Sequence, residues 1–208
     1  MKVAVIGGSG AMGRALARHL TREHEVIIGS RDPSKAAAAA AGLRGASGAD
    51  YKGASRAADA VIFAIPYEAM GLVPDLALDL SSKLVISVIN PMKVEGGLLR
   101  YALKEGSAAE ELARILPRSR VATAFNNIPS GFMKDDVVPP VDVLVAADSK
   151  ETYGEAARLV SSIREMRPLY VGPLREARIV EEITPLVLNL ANLNGTKALT
   201  TRFVTRRG

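Results

Sequence analysis

The feature that most restricts this chain is a glycine-rich turn set between an apolar run and a helical one. Val3-Ala4-Val5-Ile6 is apolar at four consecutive positions, as a strand covered on both faces requires. It leads into Gly8-Ser9-Gly10-Ala11-Met12-Gly13, a G-x-G-x-x-G spacing, and then Leu16, Ala17 and Leu20 share one helical face. In that setting each glycine has a reason. Gly8 permits the tight turn, Gly10 lets backbone approach a diphosphate, and Gly13 lets helix and strand pack closely. Free N–H groups at Ala11 and Met12, with the positive end of the helix dipole, would hold the phosphates, and Ser9 adds a hydroxyl. A glycine turn without a ligand would need no such order of strand, turn, helix and second strand.

The rest of the chain keeps alternating. Apolar runs at 25–28, 60–65, 84–89, 121–124, 142–147 and 169–171 read as strands. Segments near 11–21, 33–41, 68–79, 106–116 and 150–164 read as helices. Such alternation predicts a Rossmann-type, doubly wound and mostly parallel α/β sheet. Ala36–Ala41 is a run of six alanines closed by Gly42, good helix with no evident chemistry. Segment 130–141, with Pro139-Pro140, reads as a loop. From Pro173 the pattern changes. Ile179, Val180, Ile183, Leu186, Val187, Leu190 and Leu193 follow helical spacing. Thr184-Pro185 inside it predicts a kinked helix, or two helices with Thr184 as N-cap. The division expected is a nucleotide-binding domain over 1–171 and a C-terminal helical segment over 172–208.

Composition narrows the chemistry. With 208 residues the chain can bury a substantial core, and the absence of Cys excludes thiolate nucleophiles and Cys-bound metals. Gln and Trp are also absent, a pattern of thermophilic proteins. No apolar run approaches the roughly 18 residues that span a membrane. The N-terminal apolar run is too short for a signal peptide, so a cytoplasmic protein is expected. The net charge of +5 fits a solvated basic surface or a bias toward small anions. Scattered cations and few aromatics argue against nucleic acid. Arg202, Arg206 and Arg207 read as a solvated tail.

NAD-binding folds place a carboxylate at the end of the second strand, roughly 20 residues beyond the glycine turn. Here the strand runs into Gly29-Ser30-Arg31, and Asp32-Pro33 reads as N-cap and first residue of the next helix. Ser30 and Arg31 suit a 2′-phosphate. Lys35 falls in the first helical turn, where a bound phosphate would offset its clash with the helix dipole; otherwise it is a solvent-facing lysine. NADP is therefore expected over NAD.

The nicotinamide would lie beyond the carboxyl ends of the central strands. Three loops end there in proline: Ile65-Pro66-Tyr67, Asn90-Pro91 and Asn126-Asn127-Ile128-Pro129. Either they frame one pocket or they are ordinary strand-ending turns. His19 and His24 sit away from it and read as structural. No catalytic acid or base and no metal cluster stands out, which favours direct hydride transfer between two bound partners.

The chain resembles the F420-dependent NADP reductases. The matching residues are Val5–Gly10, Gly29-Ser30-Arg31, Ile65–Glu68, Ile128-Pro129, Gly172-Pro173-Leu174 and Thr184–Asn189. The resemblance implies a homodimer that moves a hydride between NADP(H) and coenzyme F420. It implies that Ser9, Gly10, Ala11, Met12, Ser30, Arg31 and Lys35 hold NADP, with Tyr67 flanking it and Ile128 and Ser130 near the nicotinamide. Ile128, Pro129, Thr184 and Pro185 would face the second substrate. Two positions depart from the family: Asn126 replaces His and Glu182 replaces Ser. F420 carries a phosphate and a glutamate tail, so Glu182 would repel it unless it points to solvent. Other readings stay open at this level. One is an NADPH-dependent reductase of flavins, imines or another small acceptor, and another is a non-catalytic NADP sensor.

Overall fold

The structure, a computed structural model, describes residues 1–204 apart from Asp135 and Val137. An eight-stranded sheet has the order β10-β9-β8-β5-β4-β1-β2-β3. The first half consists of β1 (Lys2–Ile6), β2 (Glu25–Gly29), β3 (Ala46–Ala49), β4 (Ala60–Phe63) and β5 (Leu84–Ser87). The second contributes β8 (Arg120–Thr123), β9 (Val141–Ala147) and β10 (Met166–Gly172). All pairs are parallel except β8 with β9, so β9 and β10 run against the rest. The chain winds outward from β1 to β3, then returns to β4 on the other side of β1. The crevice between β1 and β4 is thus the topological switch point, where such sheets bind ligands.

Both faces are covered, which is why the strands are apolar without alternation. Alternate residues of β1 feed two cores: Val3 and Val5 pack toward α1 (Ala11–Leu20), α2 (Pro33–Ala40) and α5 (Lys150–Ser161). Ala4 and Ile6 pack toward α3 (Tyr51–Ala57) and α4 (Ala108–Ile115).

Several expectations change. The segment expected as a helix over 68–79 is a 3₁₀ helix, Tyr67–Leu76, with Pro74 inside it. Strands β4 and β5 stop two residues earlier than read, as the chain leaves the sheet toward Pro66 and Pro91. Edge strand β3, Ala-Ser-Gly-Ala, carries no β-branched residue; its pairing with β2 makes it a strand. A hairpin of β6 (Met92–Glu95) and β7 (Leu98–Tyr101) turns at Gly96-Gly97, both with positive φ. Within 130–141, Ser130–Met133 form a 3₁₀ turn and Val141 opens β9.

Helix α6 (Ala177–Leu193) is a single helix through Pro185, so Thr184 is an interior residue and not an N-cap. Residues 200–203 are not a free tail. Asn127 Nδ2 donates to Thr201 Oγ1 at 2.8 Å, Thr200 Oγ1 donates to Asn127 O at 2.9 Å, and the Phe203 N–H donates to Asp142. Arg202 rides on this pinned backbone, while Arg206 and Arg207 lie outside the described residues. Asp142 is buried, and the Arg167 fork (2.6 and 2.9 Å) holds its carboxyl below the usual range.

Candidate dinucleotide and second-substrate site

The glycine turn is built by backbone against backbone. Gly7, at φ +84°, takes the left-handed conformation in the turn. Gly8 is needed for another reason: a Cβ there would sit 2.8 Å from both Val5 O and Ile28 Cγ2. A Cβ on Gly13 would lie 2.4 Å from Gly7 O, so only glycine lets α1 approach β1 this closely. A Cβ on Gly10 would meet only Gly7 O, at 3.2 Å. Gly10 precedes the first turn of α1, which has no side-chain cap and no acidic residue. Its N–H groups are open to an anion.

At the end of β2, Ser30 is buried, with its Oγ 3.4 Å from Ser9 Oγ. Arg31 and Lys35 are exposed and enter no ion pair among the described residues. Asp32 is the N-cap of α2: its Oδ1 accepts from Ser34 N at 2.9 Å and from Ser34 Oγ at 2.6 Å, which hold its carboxyl below the usual range. It is therefore engaged away from any ribose.

Beyond the carboxyl ends of the strands lie two adjoining cavities. One, of about 340 Å³, is lined by Met12, Ile65, Pro66, Tyr67 and Asn90 among others. The second, of about 290 Å³, is lined by Ile128, Pro129, Ser130, Thr184, Leu188 and Ala191 among others. Met12, Val88 and Asn90 line both. Pro185 is buried but lines neither. From α6 it is Thr184, Leu188 and Ala191, at helical spacing, that face the space, and Lys197 and Ala198 join them. The spacing of the helical three was readable; Lys197 and Ala198 follow no periodic pattern.

A polar tie lies between the loops. Thr184 Oγ1 donates to Asn126 O at 2.7 Å and also lies 3.0 Å from Asn90 Oδ1. Its single proton serves the shorter contact. Asn126 is buried: Thr123 Oγ1 donates to its Oδ1 at 2.7 Å, and its Nδ2 donates to Ile89 O and Asn90 Oδ1. Asn126 thus fixes the loops after β5 and β8 relative to each other. Asn127 is fully buried and holds β9, with its Oδ1 accepting from Leu144 N and its Nδ2 donating to Asp142 O.

Glu182 is exposed and paired with Arg178 at 2.8 Å, one turn back, so its charge is compensated at the surface. Tyr67 donates its hydroxyl to Glu111 at 2.7 Å, which raises its pKa. His19 is buried against Met133 O (3.0 Å) and His24 bonds Ser162 Oγ (2.9 Å), both outside the two cavities. Burial lowers the pKa of each. Among the described residues no cluster of three His, Asp or Glu could hold a metal.

Glu181, beside Glu182 in the sequence and not singled out by it, is fully buried. It accepts from the N–H groups of Ala108 and Ala109, both at 3.0 Å, and from Tyr101 Oη at 2.7 Å. These join α6 to the start of α4 and to β7. Burial pushes its carboxyl from 4.5 up to about 7 despite donors that favour charge, and burial with the Glu181 charge raises Tyr101 further still.

The chain matches the family described as coenzyme F420-dependent NADP oxidoreductase over residues 2–91. It is 40% identical to the F420-dependent NADP reductase of Methanothermobacter thermautotrophicus, over 91% of this chain and 89% of that protein. The reductase of Methanocaldococcus jannaschii is 33% identical over 91% of this chain and 92% of its own. A crystal structure of a candidate F420-dependent NADP reductase from Arthrobacter has the same fold, with a TM-score of 0.85 at 24% identity over 99% of this chain and all of that one. An imine reductase of Streptomyces aurantiacus shares the fold at a TM-score of 0.66 and 24% identity, over 93% of this chain and 64% of that one.

The raised carboxyl of Glu181 makes stability depend on pH. Because its folded pKa lies above the unfolded one, its contribution is complete below pH ~4.5 and is lost as pH rises through about 7. The shift corresponds to at most roughly 3 kcal/mol. Urea unfolding of wild type and Glu181→Gln from pH 5 to 8 is expected to show a falling difference in the wild type alone. Parallel profiles would refute the assignment.

Proposed function

The chain belongs to the family of coenzyme F420-dependent NADP oxidoreductases, and on that footing we propose that it moves a hydride between NADP(H) and coenzyme F420. When both are bound, the nicotinamide and deazaflavin rings supply the chemistry: a hydride leaves one ring carbon and enters the other. What the chain supplies is binding and orientation. The observation that carries this reading is the pair of cavities sharing Met12, Val88 and Asn90, one beside the dinucleotide turn and one under α6.

The residues fit NADP. The uncapped first turn of α1 offers the N–H groups of Ala11, Met12 and Gly13 to the diphosphate, with the Ser9 hydroxyl beside them, while Gly8 and Gly10, whose own N–H groups bond back to Val5 O and Gly7 O, bring the backbone close to it. Ser30, Arg31 and Lys35 gather a hydroxyl and two uncommitted cations for a 2′-phosphate. Ile65, Pro66 and Tyr67 line the nicotinamide side. Asn90 presents an NH2 group without a partner among the described residues, suited to a ring carbonyl or carboxamide. Ile128, Pro129, Ser130 and Thr184 form the F420 side, with Pro185 behind Thr184. Residues 1–171 would thus carry NADP and 172–208 complete the second site. No titratable group is needed at the transfer. Tyr67, Glu68 and Lys197 are those that line the cavities, and the Tyr67 proton is held by Glu111.

A homodimer is part of the proposal. Ile179, Leu186, Leu190 and Leu193 form an exposed apolar stripe along α6, 42–68% accessible, on the side of the helix not used by Val180, Thr184 and Val187. Such a stripe matches a helix interface between copies. No helix among the described residues is long and apolar enough to cross a membrane, and the cytoplasm is the compartment we infer. The partners are small molecules, not nucleic acid.

Stopped-flow mixing of the NADPH-loaded protein with F420, FAD and FMN tests the reaction. Bleaching of F420 is expected, whereas oxidation of NADPH by free flavins alone would overturn the proposal. Arg31→Ala is expected to weaken NADPH binding roughly tenfold or more while leaving weak NADH binding unchanged; equal losses for both would remove Arg31 from the 2′-phosphate site. In light scattering, wild type is expected at twice the mass of one chain and Leu186→Glu/Leu190→Glu at one. A wild-type monomer would refute the interface.

A further inference from the structure

The alanine run and the cations of α1 take no part in the dinucleotide turn, yet together they enclose space. Arg14 and Arg18 of α1 face Ala38 and Ala39 of α2 across a cavity of about 470 Å³, which Ser130 and Lys134 also line. A second cavity of about 560 Å³ adjoins it, sharing Arg18, Gly42 and Leu43 and adding Arg22 and Arg44. At the other end, Ser130 lines both the first cavity and the pocket walled by Thr184. The three spaces therefore follow one another along α1.

This groove is cationic and stays open. Arg14, Arg18, Arg22, Arg44 and Lys134 line it. Among the described residues Asp136 is its only acid, pairing with Arg18 at 3.1 Å and Arg22 at 3.8 Å. Arg14, Arg44 and Lys134 enter no ion pair among the described residues. The methyl side chains of α2 keep the groove clear; the longer residues usual on an exposed helix face would fill it. Gathering like charges in a concave site is unfavourable without an anion. Among the described residues the groove has no aromatic lining, which single-stranded nucleic acid would use.

The pocket under Thr184, at about 290 Å³, takes a ring system but not a long appendage as well. We propose that the groove along α1 holds the phosphate- and carboxylate-bearing tail of F420, which leaves the ring pocket past Ser130. This assignment rests on the reaction proposed above and adds a binding subsite to it. Arg14 and Lys134 are its first cations, and the Arg18–Asp136–Arg22 cluster anchors its far wall.

The test is direct binding, read from deazaflavin fluorescence, with two probes: F420, and the same deazaflavin without phosphate and glutamates. Wild type is expected to bind F420 more tightly, with an advantage that shrinks as salt rises. Arg14→Ala and Lys134→Ala are each expected to raise the Kd for F420 roughly threefold, and the double variant roughly tenfold. The Kd values for the tail-less compound and for NADP stay unchanged. Equal affinity of wild type for both deazaflavins, or no change in the double variant, would overturn the groove assignment alone. Failure of wild type to bind either deazaflavin would remove the reaction reading and the subsite with it.

Discussion

The contact on which the site depends is the hydrogen bond from Thr184 to the Asn126 carbonyl. A parallel sheet offers a crevice at its switch point but only half a pocket. The second half comes from α6, an element more than fifty residues away in the chain, and its placement must be specified. A buried hydroxyl left without a partner costs on the order of 1–3 kcal/mol. Thr184 therefore favours the one position of α6 in which its proton is accepted. Asn126 has both of its amide N–H groups and its side-chain carbonyl engaged in that arrangement.

A second tie works one turn back. Glu181 receives two N–H groups at the start of α4 and the Tyr101 hydroxyl. A carboxylate at a helix N-terminus is favourable, yet burial disfavours its charge, and burial is the larger effect. Glu181 and Thr184 lie on the same side of α6, so the residue that fixes the helix to the domain and the one that faces the pocket are coupled by one rigid element. The opposite side of the same helix carries the exposed apolar stripe.

Much of this was legible in the residues. The strand, glycine turn and helix from Val3 to Leu20 could be read because backbone crowding at Gly8 and Gly13 admits no other side chain. The absence of a carboxylate after β2 and the capping role of Asp32 were likewise local. Strand β3 and helix α3 were not legible. Ala-Ser-Gly-Ala has no strand propensity of its own, and Tyr51–Ala57 is too short for a helical period to show. The Gly96-Gly97 hairpin carries a turn signal, but its flanking runs of four residues each are too short for a strand period to show.

By itself the sequence determined the first half of the fold: parallel strands, a glycine-rich turn before an uncapped helix, and Ser30-Arg31 rather than an acid after the second strand, all set by contacts between near neighbours. Tertiary structure decided the rest. Glu181 and Glu182 are adjacent acids on one helix, indistinguishable by composition, and only the packing of α6 on α4 buries one and leaves the other at the surface beside Arg178. The six alanines had no meaning until α1 lay opposite them and their small size left a groove. Burial and enclosure belong to pairs of elements, and a chain read one element at a time does not contain them.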